Sequence, residues 1–404
     1  MTPGLPAVVR PPPSAKPTGR YVTLALQGHR PTGARRHDLS GETPTVSEHP
    51  TDPVGLSTAT LERWLRAVRP DLVTDAPLRA TLLDGGRSNL TYRLDGGATP
   101  LVLRRPPLGH VLSTAHDMAR EHRVIAALAP TSVPVPRAEL HHDDADGAAG
   151  VGTPFYLMRL VDGVVLRAPD DNAGFTAPQL RALSLDLAAT LGRLHALDPA
   201  AIGLGTLGRP DGFLARQVRR WGAQYDLSRS RPMPELDQLQ DRLRTSVPAT
   251  TQDSLLHGDY RLDNVIVQVG ADGAPRLAAV LDWEMATHGD SLTDLGLLAL
   301  YWDIRATGGD SLGIATSAVD TTAGYPAFDE LVDAYSAERR VRVPELSWYR
   351  AFAAYKLAII LEGVHYRHRA GETVGPGFDT VGALVAPLAA HGLACLGTTS
   401  ATAR

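Results

Sequence analysis

Lysine is nearly missing from this chain. Of 40 basic side chains only Lys16 and Lys356 are lysine, so no lysine lies between them. Cysteine is scarcer still: Cys395 stands alone, which excludes an intrachain disulfide. A net charge of −4 lacks the basic excess of a nucleic-acid-binding surface. No apolar run reaches the length of a membrane span. The stretch from Tyr21 to Leu26 is too short for the core of a signal peptide and has no cleavage pattern after it. These absences leave an expectation of a cytoplasmic bacterial protein with no nucleic-acid or membrane partner. The oligomeric state is open.

At 404 residues the chain is long enough for one large two-lobed unit or two domains. Residues 1–53 hold ten prolines, few large apolar side chains and no acidic residue before Asp38, and are expected to be a disordered tail. Ser57 can cap a helix carrying Leu61, Trp64, Leu65 and Val68 at helical spacing. Strands are expected at Leu78–Leu83, Leu90–Leu94, Pro100–Arg104, Arg137–His141 and Phe155–Leu160, with one helix, Thr114–Leu128, inserted among them. Past Asp162-Gly163 the pattern turns helical. Leu180, Leu183, Leu187, Leu191 and Leu194 recur at spacings of three and four. Further helices are expected near residues 212–225, 235–246, 292–302, 327–339 and 347–369. The expectation is therefore an α+β chain: residues 54–160 forming a small antiparallel sheet lobe with one helix, and 161–404 a mainly helical lobe, joined near Met158–Gly163.

The stretch that carries chemistry is His257-Gly258-Asp259-Tyr260-Arg261-Leu262-Asp263-Asn264, followed by Leu281-Asp282-Trp283-Glu284. Val265-Ile266-Val267 reads as a strand, residues 271–275 as a turn, and 277–281 as the returning strand. That hairpin brings Asp282 back beside Asn264. One carboxylate, Asp259, is then placed to take the proton of a substrate hydroxyl, while Asn264 and Asp282 offer oxygen to Mg²⁺ on ATP phosphates. His257 belongs to this catalytic set, bracing the loop rather than abstracting a proton. Asp263 and Glu284 read as supporting carboxylates.

The motif resembles the signature of the aminoglycoside phosphotransferase superfamily: His-Gly-Asp, four residues, Asn, then a strand ending in Asp. The resemblance extends through Gly85-Gly86-Arg87-Ser88-Asn89-Leu90-Thr91-Tyr92, Leu101-Val102-Leu103-Arg104-Arg105-Pro106-Pro107, Arg120-Glu121-His122-Arg123 and Asp290-Ser291-Leu292-Thr293-Asp294, over roughly residues 55 to 390. The Leu-Arg-Arg-Pro-Pro and Asp-Trp-Glu runs are most similar to the branch related to the kinase-like portion of acyl-CoA dehydrogenase fusion proteins. The resemblance implies a two-lobed protein-kinase-like fold and an ATP- and Mg²⁺-dependent transfer to a small-molecule hydroxyl. It implies a nucleotide site at Gly85, Gly86, Ser88 and Asn89, whose loop can donate N–H groups to phosphate. Arg104 stands where such folds commonly place a phosphate-contacting lysine, with Glu121 orienting it; Arg105 is the alternative on the opposite strand face. Backbone groups around Arg159 and Leu160 are the expected adenine-edge contacts. An aspartate at the Asp294 position is mainly structural in the family.

The acceptor is less legible. Residues 347–369 hold Arg350, Lys356, His365, Arg367, His368 and Arg369 against one acid, Glu362. A polycationic antibiotic needs an acidic pocket, so this segment favours a neutral or anionic acceptor such as a hydroxyacyl-CoA or hydroxy acid. An aminoglycoside or other antibiotic kinase, a catalytically weak nucleotide-binding module and a metal-dependent hydrolase are the alternatives. The hydrolase would want more histidine at metal spacing.

Overall fold

The computed structural model describes residues 52–83, 89–108, 116–250, 252–307, 317–372 and 378–397. Its first half runs α1 (Thr58–Val68), β1 (Arg79–Leu82), β2 (Leu90–Asp95), β3 (Leu101–Arg105), α2 (Met118–Leu128), β4 (Ala138–His142) and β5 (Phe155–Arg159). The five strands form one antiparallel sheet in the order β1-β2-β3-β5-β4.

Alternation along these strands sends neighbouring residues to opposite faces. Leu101 and Leu103 of β3, with Phe155 and Leu157 of β5, pack against Leu61 and Leu65 of α1. Val102, Tyr156 and Met158 face the other way, onto Val124 and Ile125 of α2 and the core of the helical half. The same rule separates the two arginines that end β3. Arg104 points to the α2 face, whereas Arg105 is 6% exposed on the other face and donates to the carbonyls of Gly55 and Val151.

The second half contains α3 (Ala177–Ala196), α4 (Phe213–Ser228), α5 (Pro234–Thr245), β6 (Asp253–Leu256), β7 (Val265–Val269), β8 (Pro275–Val280), β9 (Thr287–Asp290), α6 (Leu292–Asp303), α7 (Phe328–Arg339), α8 (Ser347–Arg369) and α9 (Val385–Gly397). The expected two-lobed α+β arrangement is the one the chain adopts. The β7–β8 hairpin forms as expected, and β6 pairs antiparallel with β9. That second pairing is not legible locally, because Thr287-His288-Gly289-Asp290 lacks a strand's apolar alternation.

Two boundaries differ from expectation. Helix α2 begins at Met118, after Asp117 accepts the N–H of Arg120, while residues 109–115 lie outside the described set. Ser57 sits at the cap position of α1 but turns its hydroxyl to Thr60; the N–H of Thr58 is instead met by Asp52 at 3.1 Å. A boundary drawn at residue 53 therefore cuts through a contact that begins the fold. The expected tail up to residue 51 lies outside the described residues.

Candidate active site

The loop after β6 is held from beneath by one buried carboxylate. Asp294, in the first turn of α6 and 1% exposed, accepts the N–H of His257 at 2.7 Å and of Gly258 at 2.9 Å. His195 of α3 approaches the same carboxylate at 3.3 Å. Burial works against the Asp294 charge, but these donors outweigh it and hold its pKa below the ordinary value. Gly258 has φ +85°, and a Cβ there would lie 2.6 Å from the Met285 carbonyl oxygen. Both facts require glycine at that turn.

His257 is fully buried, with both ring nitrogens engaged. Its Nε2 faces the Leu281 carbonyl at 2.8 Å, so Nε2 carries the proton. Its Nδ1 then accepts the N–H of Asp259 at 3.2 Å. The ring thus braces the loop against β8 and has no nitrogen left to take a substrate proton. Asp259 is half-buried, and Asn264 Nδ2 donates to its carbonyl at 2.8 Å and to its carboxylate at 3.0 Å. The N–H of Leu281 closes onto the Asn264 carbonyl at 2.8 Å. Asp259, Asn264 and Asp282 therefore share one end of the β7–β8 hairpin. Asp282 itself sits at φ 66°, in the left-handed region that non-glycine residues seldom occupy. Asp263 turns aside to pair with Arg261, which lies over the Tyr301 ring.

Across the cleft, Arg104 Nη2 meets Asp282 Oδ1 at 2.5 Å. Its Nε lies 3.2 Å from Glu121 Oε2, an ion pair without hydrogen-bond angles. Glu121 is fully buried and also receives Tyr156 Oη at 3.0 Å and Asn89 Nδ2 at 3.3 Å. Asn89 Nδ2 reaches Glu284 at 3.2 Å, and Asn89 Oδ1 faces His116 at 2.8 Å. Burial, and then the neighbouring Asp282, pushes the Glu284 carboxyl strongly upward. Burial likewise pushes Glu121 up, against the pull of Arg104.

Of the expected nucleotide contacts, those the structure describes have partners within the protein. Gly85, Gly86 and Ser88 lie outside the described residues. Asn89 is 1% exposed and its amide is spent within the carboxylate cluster, where a buried donor must find its acceptors. Arg159 donates its N–H to Arg137 and Leu160 its N–H to Pro100, while the Arg159 side chain pairs with Glu139. Neither N–H can read an adenine edge, because the sheet already uses them.

Oxygen donors for a hard cation are present. Asn264 directs its amide nitrogen to Asp259, which turns its oxygen elsewhere, and Asp282 is partly open at 21% exposure. That donor set suits Mg²⁺. Glu121, Asp282 and Glu284 also bring oxygens within 4.8 Å of one another, but the guanidinium of Arg104 already supplies the cation there.

Of the basic residues on α8, Arg350 pairs with Asp303, and Glu362 is taken by Ser230 and Arg231. Lys356 alone reaches the loop, with Nζ 2.9 Å from the Gly258 carbonyl oxygen. The sequence offered Lys356 only as one of several cations on a basic segment. The sequence singled out Asn89 and Glu284 separately but not their meeting with each other and with His116, and gave no signal for His195 under the loop.

A family model described as "Phosphotransferase enzyme family" matches residues 79–367, from β1 through nearly all of α8. Rattus norvegicus acyl-CoA dehydrogenase family member 11 is 33% identical over 340 residues, which is 82% of this chain and 42% of that protein. The chain thus spans less than half the length of that relative. A crystal structure from Ralstonia eutropha, named provisionally as an aminoglycoside phosphotransferase, superposes with a TM-score of 0.71 at 29% identity over 85% of this chain and 98% of that one. An aminoglycoside phosphotransferase in ternary complex with ADP and hygromycin B shares the fold, with a TM-score of 0.53 at 15% identity over 85% of this chain and 100% of that one.

Proposed function

The chain belongs to the phosphotransferase enzyme family, and on that premise we propose that it transfers the γ-phosphoryl group of ATP, with Mg²⁺, to a hydroxyl of a small anionic molecule. A hydroxy acid or hydroxyacyl-CoA is the leading acceptor. The observation that carries the transfer is the continuous link Asp259–Asn264–Leu281–Asp282–Arg104, which joins a base, an oxygen donor pair and a phosphate-binding cation.

In this reading Asp259 takes the proton of the acceptor hydroxyl as its oxygen bonds to the γ-phosphorus and the bond to the β–γ bridging oxygen breaks, releasing ADP. Asn264 fixes the carboxylate by donating to it. His257 and Asp294 are positioning residues, since each holds loop backbone and neither faces the acceptor. Arg104 exchanges part of its contact with Asp282 for phosphate oxygens, which its planar fork matches. When bound, Mg²⁺ held by Asn264 and Asp282 would neutralise charge on the phosphates. The name of the rat relative, an acyl-CoA dehydrogenase family member, supports an acyl thioester acceptor.

Incubation with Mg²⁺, ATP and a panel of hydroxylated acids, thioesters and aminoglycosides, read by mass for a phosphate ester, tests this. The expected product is a phosphorylated acid or thioester. Phosphorylated aminoglycoside with no phosphorylated acid or thioester would contradict the acceptor assignment and leave the transfer standing.

A further inference from the structure

Lys356 is the single lysine among the described residues, and its head group meets the catalytic loop. It projects from the middle of α8, and Nζ donates to the carbonyl of Gly258, one residue before Asp259, at 2.9 Å. The indole of Trp221 on α4 lies beneath it, 5.7 Å from Nζ to ring centre. The carbonyl uses one of three ammonium donors, and the indole face offsets part of the charge. Among the described residues no carboxylate lies within 4 Å of Nζ.

Asp259 and Asp294 attract the ammonium from farther off, Arg220 on α4 opposes it, and burial pushes its pKa down. A half-buried ammonium with no carboxylate in contact keeps donors for an incoming anion. Through the Gly258 carbonyl, Lys356 stands one residue from Asp259, the group to which the phosphotransferase reading brings the acceptor hydroxyl.

We infer that Lys356 is a specificity-determining residue whose ammonium binds an oxyanion, carboxylate or phosphate, carried by the acceptor close to the hydroxyl that Asp259 deprotonates. This rests on the phosphotransferase reading and adds to it the residue that selects the acceptor. Arg350 is excluded from that role by its pairing with Asp303 on another face of α8.

The test compares full-length wild type, Lys356→Met and Lys356→Arg on short hydroxycarboxylates, each paired with its primary amide, under Mg·ATP. Lys356→Met is expected to lower kcat/KM for the acids by at least roughly tenfold, the loss of one charge-assisted contact. The amides should change by less than about threefold, and Lys356→Arg should restore part of the loss. Equal losses for acid and amide would assign the charge to the phosphoryl group or to bracing of the loop, and overturn the inference. No loss for either would overturn it too. Calorimetry of the same acids and amides with Mg·ADP present separates the two readings. A wild type that transfers to no acceptor but binds acid over amide, with Lys356→Met abolishing the difference, keeps Lys356 as the anion site and removes the transfer. A wild type that binds acid and amide alike removes the anion site.

Discussion

Arg104 Nη2 and Asp282 Oδ1 meet at 2.5 Å although the residues are 178 positions apart. This contact ties the sheet half to the hairpin that ends in Asp282, the aspartate proposed to hold Mg²⁺. Arg104 is 11% exposed at its side chain, so removing it leaves Glu121 and Asp282 facing each other without a cation. Arg104→Ala is expected to cost about 3–5 kcal/mol of stability and to weaken ATP binding at least roughly tenfold. Arg104→Lys should retain part of both. Calorimetric titration with ATP beside a melting curve checks this. Arg105→Ala should destabilise while leaving ATP affinity intact, since its guanidinium holds only backbone carbonyls.

Asp294 gives a pH-dependent prediction. Its pKa in the folded chain lies below the ordinary aspartate value of 3.8, since its donors outweigh burial. A depressed carboxylate stabilises above the unfolded-state pKa, and that stabilisation is lost as pH falls through the folded value. Asp294→Asn should therefore cost about 1.5–3 kcal/mol near neutral pH, as a charged acceptor of two N–H groups is replaced. The gap to wild type should narrow below roughly pH 4. Denaturant melts across that range measure it.

Gly258→Ala should reduce turnover more than it reduces ATP affinity. The added methyl would lie 2.6 Å from the Met285 carbonyl oxygen at a φ of +85°, so the loop must shift. The strain in φ alone costs about 1–2 kcal/mol, and the displaced backbone is the one that carries Asp259. Steady-state kinetics with ATP as the varied substrate distinguishes the two effects.

Asp52→Ala should lower stability by about 0.5–2 kcal/mol, the usual range for a lost helix cap, because its carboxylate meets the N–H of Thr58 at the start of α1. Ser57→Ala should cost less, its hydroxyl being turned to Thr60. Thermal melts of the two variants side by side give the comparison.

Most of the architecture is written in local pattern. The Leu180–Leu194 stripe commits its segment by periodicity, and the short apolar runs of β3 and β5 and the Val265–Val280 hairpin commit theirs by β-forming residues bounded by turns. The core of the site is legible for the same reason: Asp259, Asn264 and Asp282 are brought together by one hairpin, which needs no long-range information. What was not legible depends on distance in sequence. Asn89 looks like a loop amide until the fold buries it between Glu121 and Glu284. Arg159 and Leu160 look like free linker backbone until β4 and the start of β3 consume their N–H groups. Lys356 reads as one cation on a basic helix until α8 presses it against Gly258.

Asp259 as the base is tested most directly by a single turnover with Asp259→Asn. Mg·ATP binding by this variant should stay within about threefold of wild type, because Asp259 does not hold the phosphates. Phosphate transfer to an acceptor that wild type phosphorylates should fall by roughly 10²–10⁴-fold, the usual worth of a positioned base. Near-normal transfer by Asp259→Asn would show that Asp259 is not the base.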